Sequence, residues 1–289
     1  MKKIPVIIFC YNRPNKLKNL LNEIKKNSDY KSYKYFFFCD GPKNNLEIKK
    51  CKYVFEIASN FNVKFKSIKK NKTNLGLSKN IISGLNIIFG NYDSAIILED
   101  DLSISKNTLK FLSEMLFKYR NHKNIGSITA YSYIHNFNQF DNKLYLVFRH
   151  CSWGWGTWKN IWNKINWNDY RIKRDGFSKG GYDLKILLQG QKKNLINSWA
   201  IRFNLFCHNN NLKCIMPRYS LVNNLGFDKD GTHTKKRFFR NTLLKKKKIN
   251  IINYLNNQPT KNSSVSNKIR YMHKPSIKLI FRLLMRFFM

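Results

Sequence analysis

Ala95-Ile96-Ile97-Leu98-Glu99-Asp100-Asp101 runs four apolar residues straight into three carboxylates. Acids clustered at the end of a buried strand stay ionised only if a cation offsets their mutual repulsion. In a chain with a formal net charge of +38, the expected cation is divalent, because oxygen ligands select hard ions such as Mg²⁺ or Mn²⁺. Few other protein ligands stand nearby in the sequence, so water and phosphate oxygens would complete the shell, the habit of metals that carry a nucleotide diphosphate. The plainer alternative is a helix start, with Ser103 or Asp101 capping residues 105–119 and the acids complementing its dipole.

Outward from this stretch, strands alternate with helices. Residues 4–11 form a β-rich apolar run that Asn12-Arg13-Pro14 breaks, and Leu17, Leu20, Leu21 and Ile24 then follow at helical spacing. Residues 35–39 are a second buried strand ending at Asp40-Gly41-Pro42. A helix through Val54 and Ile57, a strand at 63–68 and a helix carrying Leu77, Ile81, Ile82, Leu85 and Ile88 lead back to the acidic strand. The alternation predicts an α/β fold with a doubly wound, mostly parallel sheet, which binds ligands where loops leave the carboxyl ends of its strands. Tyr11, Asn12, Arg13, Asp40 and the acids 99–101 all fall on that edge. Together they mix cation, hydrogen-bonding groups and carboxylates in a way that suits a base, a ribose and a diphosphate. Singly, Asp40 reads as a turn residue and Arg13 as a solvent-facing side chain.

After about residue 125 the pattern changes to short strands, at 128–133 and 144–148, and to aromatic loops. Cys151-Ser152-Trp153-Gly154-Trp155-Gly156-Thr157-Trp158 opens a segment holding four of the six tryptophans. Glycines between indoles let backbone approach a ligand and the rings offer faces for a sugar, so Trp153, Gly154 and Trp155, with Trp199, are candidate acceptor or sugar contacts; the alternative is a packed aromatic core. The Gly-x-Gly here is no dinucleotide fingerprint, since it neither follows the first strand nor carries a third glycine. Ile196-Asn197-Ser198-Trp199 opens a further helix. Later, Gly226 and Gly231 bracket a polar turn that would present His233 as a phosphate donor or metal ligand.

The 289 residues, 43% of them hydrophobic, suffice for one large or two small globular domains and exclude a disordered chain. With no apolar run long enough to span a bilayer and no cleavable leader, the expected location is cytoplasmic. Six cysteines without CxxC spacing argue against disulfides and zinc. The net charge alone invites nucleic acid, anionic membrane or a phosphorylated substrate. Lys, Asn and Ile are abundant throughout, however, so much of the lysine reads as solvated face. No RNP, zinc-finger or helix-turn-helix signature accompanies the charge, and the Trp153 cluster is poor in interleaved Lys and Arg, which argues against nucleic acid as a partner. Residues 235–289 hold fifteen Lys or Arg and no acid. Within them, 256–267 reads as a linker, and 277–289 as an apolar helix with a stripe of Lys278, Arg282 and Arg286. That stripe suits peripheral attachment to anionic lipid at the inner face of the cytoplasmic membrane, or docking on the protein's own core.

Taken in order, Phe9 to Pro14, Asp40-Gly41-Pro42, Asn74-Leu75-Gly76-Leu77, Leu98-Glu99-Asp100-Asp101, Ser152 to Trp158, and Gly226-Phe227 with Thr232-His233 resemble bacterial GT-A-fold glycosyltransferases. These are family 2-like sugar transferases related to N-acetylglucosaminyltransferase I, and the resemblance spans roughly residues 4–234. It implies a GT-A domain over 1–234, with a nucleotide-binding half at 1–124 and an acceptor half at 125–234, followed by the basic tail at 235–289. It implies a nucleotide-sugar donor, by default a UDP-sugar, held by Mn²⁺ or Mg²⁺. Asp101 resembles the direct metal ligand, with Glu99 and Asp100 near the ribose and donor sugar, and Asp40, Tyr11, Asn12 and Arg13 near the nucleoside and its phosphate. His233 resembles the group that stabilises the diphosphate or joins the metal. The acceptor would be a saccharide or lipid-linked glycan of surface polysaccharide or lipooligosaccharide synthesis.

Such relatives invert the anomeric centre, and a carboxylate just before the Trp199 segment deprotonates the acceptor hydroxyl. Here that position is Asn197, and an amide is no base at neutral pH. Asp183 and Asp228 are the candidate substitutes. A sugar-nucleotide binder without catalysis is the alternative function.

Overall fold

The computed structural model of the protein describes residues 4–134, 144–226, 254 and 256–276. Strand β1 (Pro5–Cys10) is buried throughout, with its proline at the first position, where a missing N–H costs no ladder bond. Helix α1 (Pro14–Ile24) starts on Pro14, whose fixed φ suits the first helical turn, and buries Leu17, Leu20, Leu21 and Ile24. Each such side chain contributes about 1.5–3 kcal/mol by leaving water. Then follow β2 (Lys34–Cys39), α2 (Asn45–Ser59), β3 (Lys66–Lys70), α3 (Leu77–Asn91) and β4 (Ser94–Glu99). Strand β1 lies between β2 and β4, all three parallel, with Cys10 opposite Cys39 and Phe9 opposite Glu99.

The second half comprises β5 (Leu102–Ile104), α4 (Thr108–Lys118), β6 (Ile125–Thr129), β7 (Leu144–Val147), β8 (Trp155–Trp158), α5 (Lys159–Trp162), α6 (Asp183–Lys192) and α7 (Trp199–Asn209). After these come β9 (Lys213–Pro217), β10 (Val222–Asn224), β11 (Thr260–Lys261) and α8 (Ser263–Met272). The main sheet has the order β11-β7-β9-β6-β8-β4-β1-β2-β3. Its two faces carry separate cores. Val6, Ile8 and Cys10 pack with α1, α2 and α4, whereas Ile7 and Phe9 pack with Ile81, Leu85 and Ile88 of α3 and with Trp199 and Phe203 of α7.

Three expectations change. Trp155–Trp158 is a central strand rather than part of a loop: β8 runs antiparallel between β4 and β6, so the sheet is mixed, parallel in its first half. Trp155 faces one core and Trp158 the other. The acids do not start a helix. Strand β5 follows them, paired antiparallel with β10, and α4 begins at Thr108 after Asn107, so neither Ser103 nor Asp101 caps it. Residues 256–267 are no linker, because β11 extends the sheet on β7 and α8 buries Val265 and Ile269. The basic helix expected at 277–289 lies outside the described residues. Among the described residues no helix is long and apolar enough to cross a membrane.

Candidate active site

Because β1, β2 and β4 are parallel and adjacent, their carboxyl ends deliver Tyr11-Asn12-Arg13, Asp40 and Glu99-Asp100-Asp101 to one edge. The backbone locks them there: Asp100 N–H donates to Phe9 O (3.0 Å) and Tyr11 N–H to Asp100 Oδ2 (2.9 Å). Arg13 forms an ion pair with Asp101 Oδ2. The other oxygen, Asp101 Oδ1, is buried with no hydrogen-bond partner. Burial, followed by the charges of Asp101 and Asp100, raises the Glu99 pKa well above the usual carboxylate range, and burial with Asp101 pushes Asp100 up to about 7.

The β5–β10 ribbon closes the site from the other side. Leu225 N–H donates to Asp101 O (2.8 Å), and Lys16 Nζ donates to Leu225 O (2.9 Å). A Cβ on Gly226 would overlap Asp101 Oδ2, so only glycine passes here while that carboxylate holds its place. Likewise a Cβ on Gly154 would meet Val222 Cγ1 at 2.8 Å, and its φ is +59°. The role of Gly154 is to let β10 pass, which replaces the sugar contact expected of it. Asp228 and His233, which follow Gly226 in the chain, lie outside the described residues.

The raised Asp100 pKa makes stability depend on pH. An unfolded Asp titrates near pH 4, so between about pH 4 and 7 the folded protein holds a proton the unfolded chain has lost, and stability falls as pH rises through that window. Without divalent ions, the melting temperature of the wild type relative to Asp100→Asn is expected to drop across that range and level off above it. Thermal melts in EDTA check this, and parallel curves for the two proteins would refute it.

Asp40 is where expected but does different work. Its buried carboxylate accepts from Gly41 N (3.0 Å), Asn71 Nδ2 (3.1 Å), Asn74 Nδ2 (3.1 Å), Leu75 N (2.9 Å) and Gly76 N (3.0 Å). Both oxygens are thus spent on holding the 71–76 loop, so Asp40 shapes this edge through that loop. Glu47, at the start of α2, was not foreseen. It accepts from the Tyr11 hydroxyl, from Asn12 Nδ2 (3.0 Å) and from Lys43 N (2.9 Å), so it fixes the β1–α1 loop. Its signal in the sequence is the third helical position after Asn44, where a carboxylate favours a helix start.

The aromatic and base candidates need correction. Trp155 is 0% and Trp199 3% exposed, stacked on each other at 5.1 Å; they form a core, which leaves them no face for a sugar. Trp153 is partly buried, edge-on to Tyr131 at 4.6 Å. Asp183 is held bidentately by Arg149 (2.8 and 3.0 Å), with side chains only 12% and 13% exposed; a carboxylate so tied is an anchor committed to that pair. Asn197 stands just outside α7, whose N-cap is Ser198. Its Oδ1 accepts from Arg202 (3.2 Å), and Arg202 also donates to Ser78 Oγ (2.5 Å) at the start of α3, which ties this position to the loop that Asp40 holds.

The residues fit a divalent ion. Asp101 Oδ1 is an orphaned buried oxygen beside two further carboxylates that burial and repulsion leave poorly ionised, a state a cation relieves. Among the described residues no group of three or more His, Cys, Asp or Glu is placed to hold a metal ion unaided, so Asp101 would share it with water and a diphosphate.

Sheet order, the acid edge and the ribbon over it define a GT-A-type glycosyltransferase architecture. The chain belongs to Glycosyl transferase family 2, whose sequence pattern matches residues 6–180. Among solved structures, it is similar to the mannosyltransferase PcManGT from Pyrobaculum calidifontis in complex with GDP-Man and Mn²⁺, at 8% identity and a TM-score of 0.36, over 57% of this chain and 48% of that one. It is also similar to residues 1–349 of S. aureus TarS, at 14% identity and a TM-score of 0.44, over 76% of this chain and 59% of that one. The chain thus spans about half the length of these two solved chains. No curated protein matches its sequence.

Proposed function

We propose that the protein transfers a sugar from a nucleoside diphosphate donor, a UDP-sugar, to a saccharide or lipid-linked acceptor in surface polysaccharide or lipooligosaccharide assembly, with inversion. The observation that carries this reading is the orphaned Asp101 Oδ1 at the edge where Arg13, the acids and the β5–β10 ribbon meet. Mn²⁺ or Mg²⁺ bound there would supply electrostatic stabilisation of the departing diphosphate. Arg13 then turns part of its charge towards phosphate, Tyr11 and Asn12 frame the nucleoside under the control of Glu47, and Glu99 and Asp100 face ribose and donor sugar. His233, seven residues beyond Gly226, steadies the diphosphate or joins the metal.

With Asp183 committed to Arg149, the acceptor proton goes to Asp228, two residues beyond the glycine that touches Asp101. Residues 277–289 would keep the enzyme peripheral on the inner face of the cytoplasmic membrane, where a lipid-linked acceptor resides.

The test is release of nucleotide from UDP-, GDP- and dTDP-sugars with Mn²⁺, with and without added glycan acceptors, for wild type and Asp228→Asn. Asp228→Asn is expected to lower kcat at least a hundredfold with donor affinity kept. Full activity in Asp228→Asn would remove it as the base. Because Asn197 stands where relatives carry a carboxylate, a second reading is a sugar-nucleotide binder without turnover. Tight donor binding with no release for any acceptor would favour that one, and no binding of any donor would end both.

A further inference from the structure

At the far end of the sheet, a second charged feature stands apart from the donor edge. Strands β4 and β6 both run antiparallel to β8, and β9 is parallel to β6. The start of β9, at Lys213, therefore lies on the edge opposite Asp101. A cavity of about 70 Å³ opens there, lined among others by Phe148, Arg174, Asp175, Lys179, His208 and Lys213. A single water needs ~10–15 Å³ of such space, so this one has room for a tetrahedral oxyanion.

Cations converge on it. Lys213 Nζ is 4.3 Å and Lys179 Nζ 5.9 Å from the centre of the Phe148 ring. Burial, reinforced by the charges of Lys261, Arg174 and Lys179, holds the Lys213 ammonium below its ordinary pKa. Elsewhere on this face cations find acids: Arg171 and Lys173 both pair with Asp169. Arg174, Lys179 and Lys213 make no ion pair among the described residues, although Asp175 shares the wall. Like charges gathered around one small cavity, one of them half-buried, repel one another until an anion enters.

We propose that this cavity is a binding site for a phosphate group, monoester or diphosphate, separate from the donor site and able to receive it from a soluble molecule or a lipid headgroup. The full-length protein in EDTA should bind pyrophosphate or inorganic phosphate saturably. Arg174→Gln/Lys179→Gln, two exposed positions, should weaken that binding at least tenfold, and so should Lys213→Met, which keeps the aliphatic stem on Phe148. Without phosphate, the double variant should melt no lower than wild type, because repulsion is relieved, and it should lose the rise in melting temperature that phosphate gives. Flotation with vesicles of equal surface charge separates the sources. Preference for phosphatidic acid over phosphatidylserine, lost in the variants, assigns a lipid phosphomonoester, and equal flotation of the two with pyrophosphate binding intact assigns a soluble ligand. Absence of saturable phosphate binding, or unchanged affinity in both variants, overturns the proposal.

Discussion

Asp101→Asn is expected to abolish metal-dependent binding of UDP, weakening it at least a hundredfold while binding without metal changes little. Asp101 is the carboxylate whose Oδ1 is buried and unpartnered while Oδ2 is paired with Arg13. An amide keeps the shape but removes the charge, so a hard divalent ion held there would lose an anionic oxygen ligand. A hundredfold loss corresponds to about 2.7 kcal/mol, modest for an ion that also contacts the diphosphate. Isothermal titration with UDP, with and without Mn²⁺, reads this directly. Metal-dependent binding that survives the substitution would move the ion away from Asp101. No binding by the wild type in either condition would rule out the uridine donor and turn the search to other nucleotides.

The second large effect is expected at Asp40. In Asp40→Asn, one of the two acceptor oxygens becomes an N–H₂ facing donors that it cannot satisfy: either Asn71, Leu75 and Gly41, or Asn74 and Gly76. Each buried donor left unpaired costs about 1–3 kcal/mol, so the loss should be ~2–5 kcal/mol. For a chain of this size that lowers Tm by roughly 5–15 °C. Because the 71–76 loop leads into α3, whose Ser78 accepts from Arg202 of α7, weaker donor binding should accompany the lost stability. Thermal melts and donor titration of the same variant check both. A variant with normal stability but no donor affinity would show that Asp40 touches the nucleoside itself.

Much of the first half of the fold was legible from residue order. β1, β2 and β4 are short apolar runs, each ending in polar residues, and the parallel alternation with α1, α2 and α3 put those ends together. That is how Tyr11, Arg13, Asp40 and the acids could be placed on one edge before any contact was known. β8 escaped because it is buried on both faces. Trp155 and Trp158 face opposite cores, so Trp-Gly-Thr-Trp shows neither the alternation of a half-buried strand nor a polar face. The β5–β10 ribbon was missed for a different reason: three-residue strands carry almost no periodic signal, and their pairing joins residues far apart in sequence. Glu47 and the Arg149–Asp183 pair are tertiary in origin, since nothing local says which partner a carboxylate will find. The Asn/Ser-rich stretch before α8 looked like linker by composition, yet Asn262 caps that helix by accepting from Val265 N–H (3.0 Å).

The insertion of β8 between β4 and β6 also bears on how the chain emerges from the ribosome. During synthesis the acidic strand is exposed early, flanked on one side by β1 and on the other by nothing until residues 155–158 arrive. In that interval an apolar strand with an open edge is a template for pairing with a neighbouring nascent chain. The portion that precedes β8 should therefore not survive as a free fragment. A chain halted before Trp155 is expected to enter the insoluble fraction, and one extended past β9 to recover solubility, because by then β8 fills the gap between β4 and β6 and β9 covers the other edge of β6.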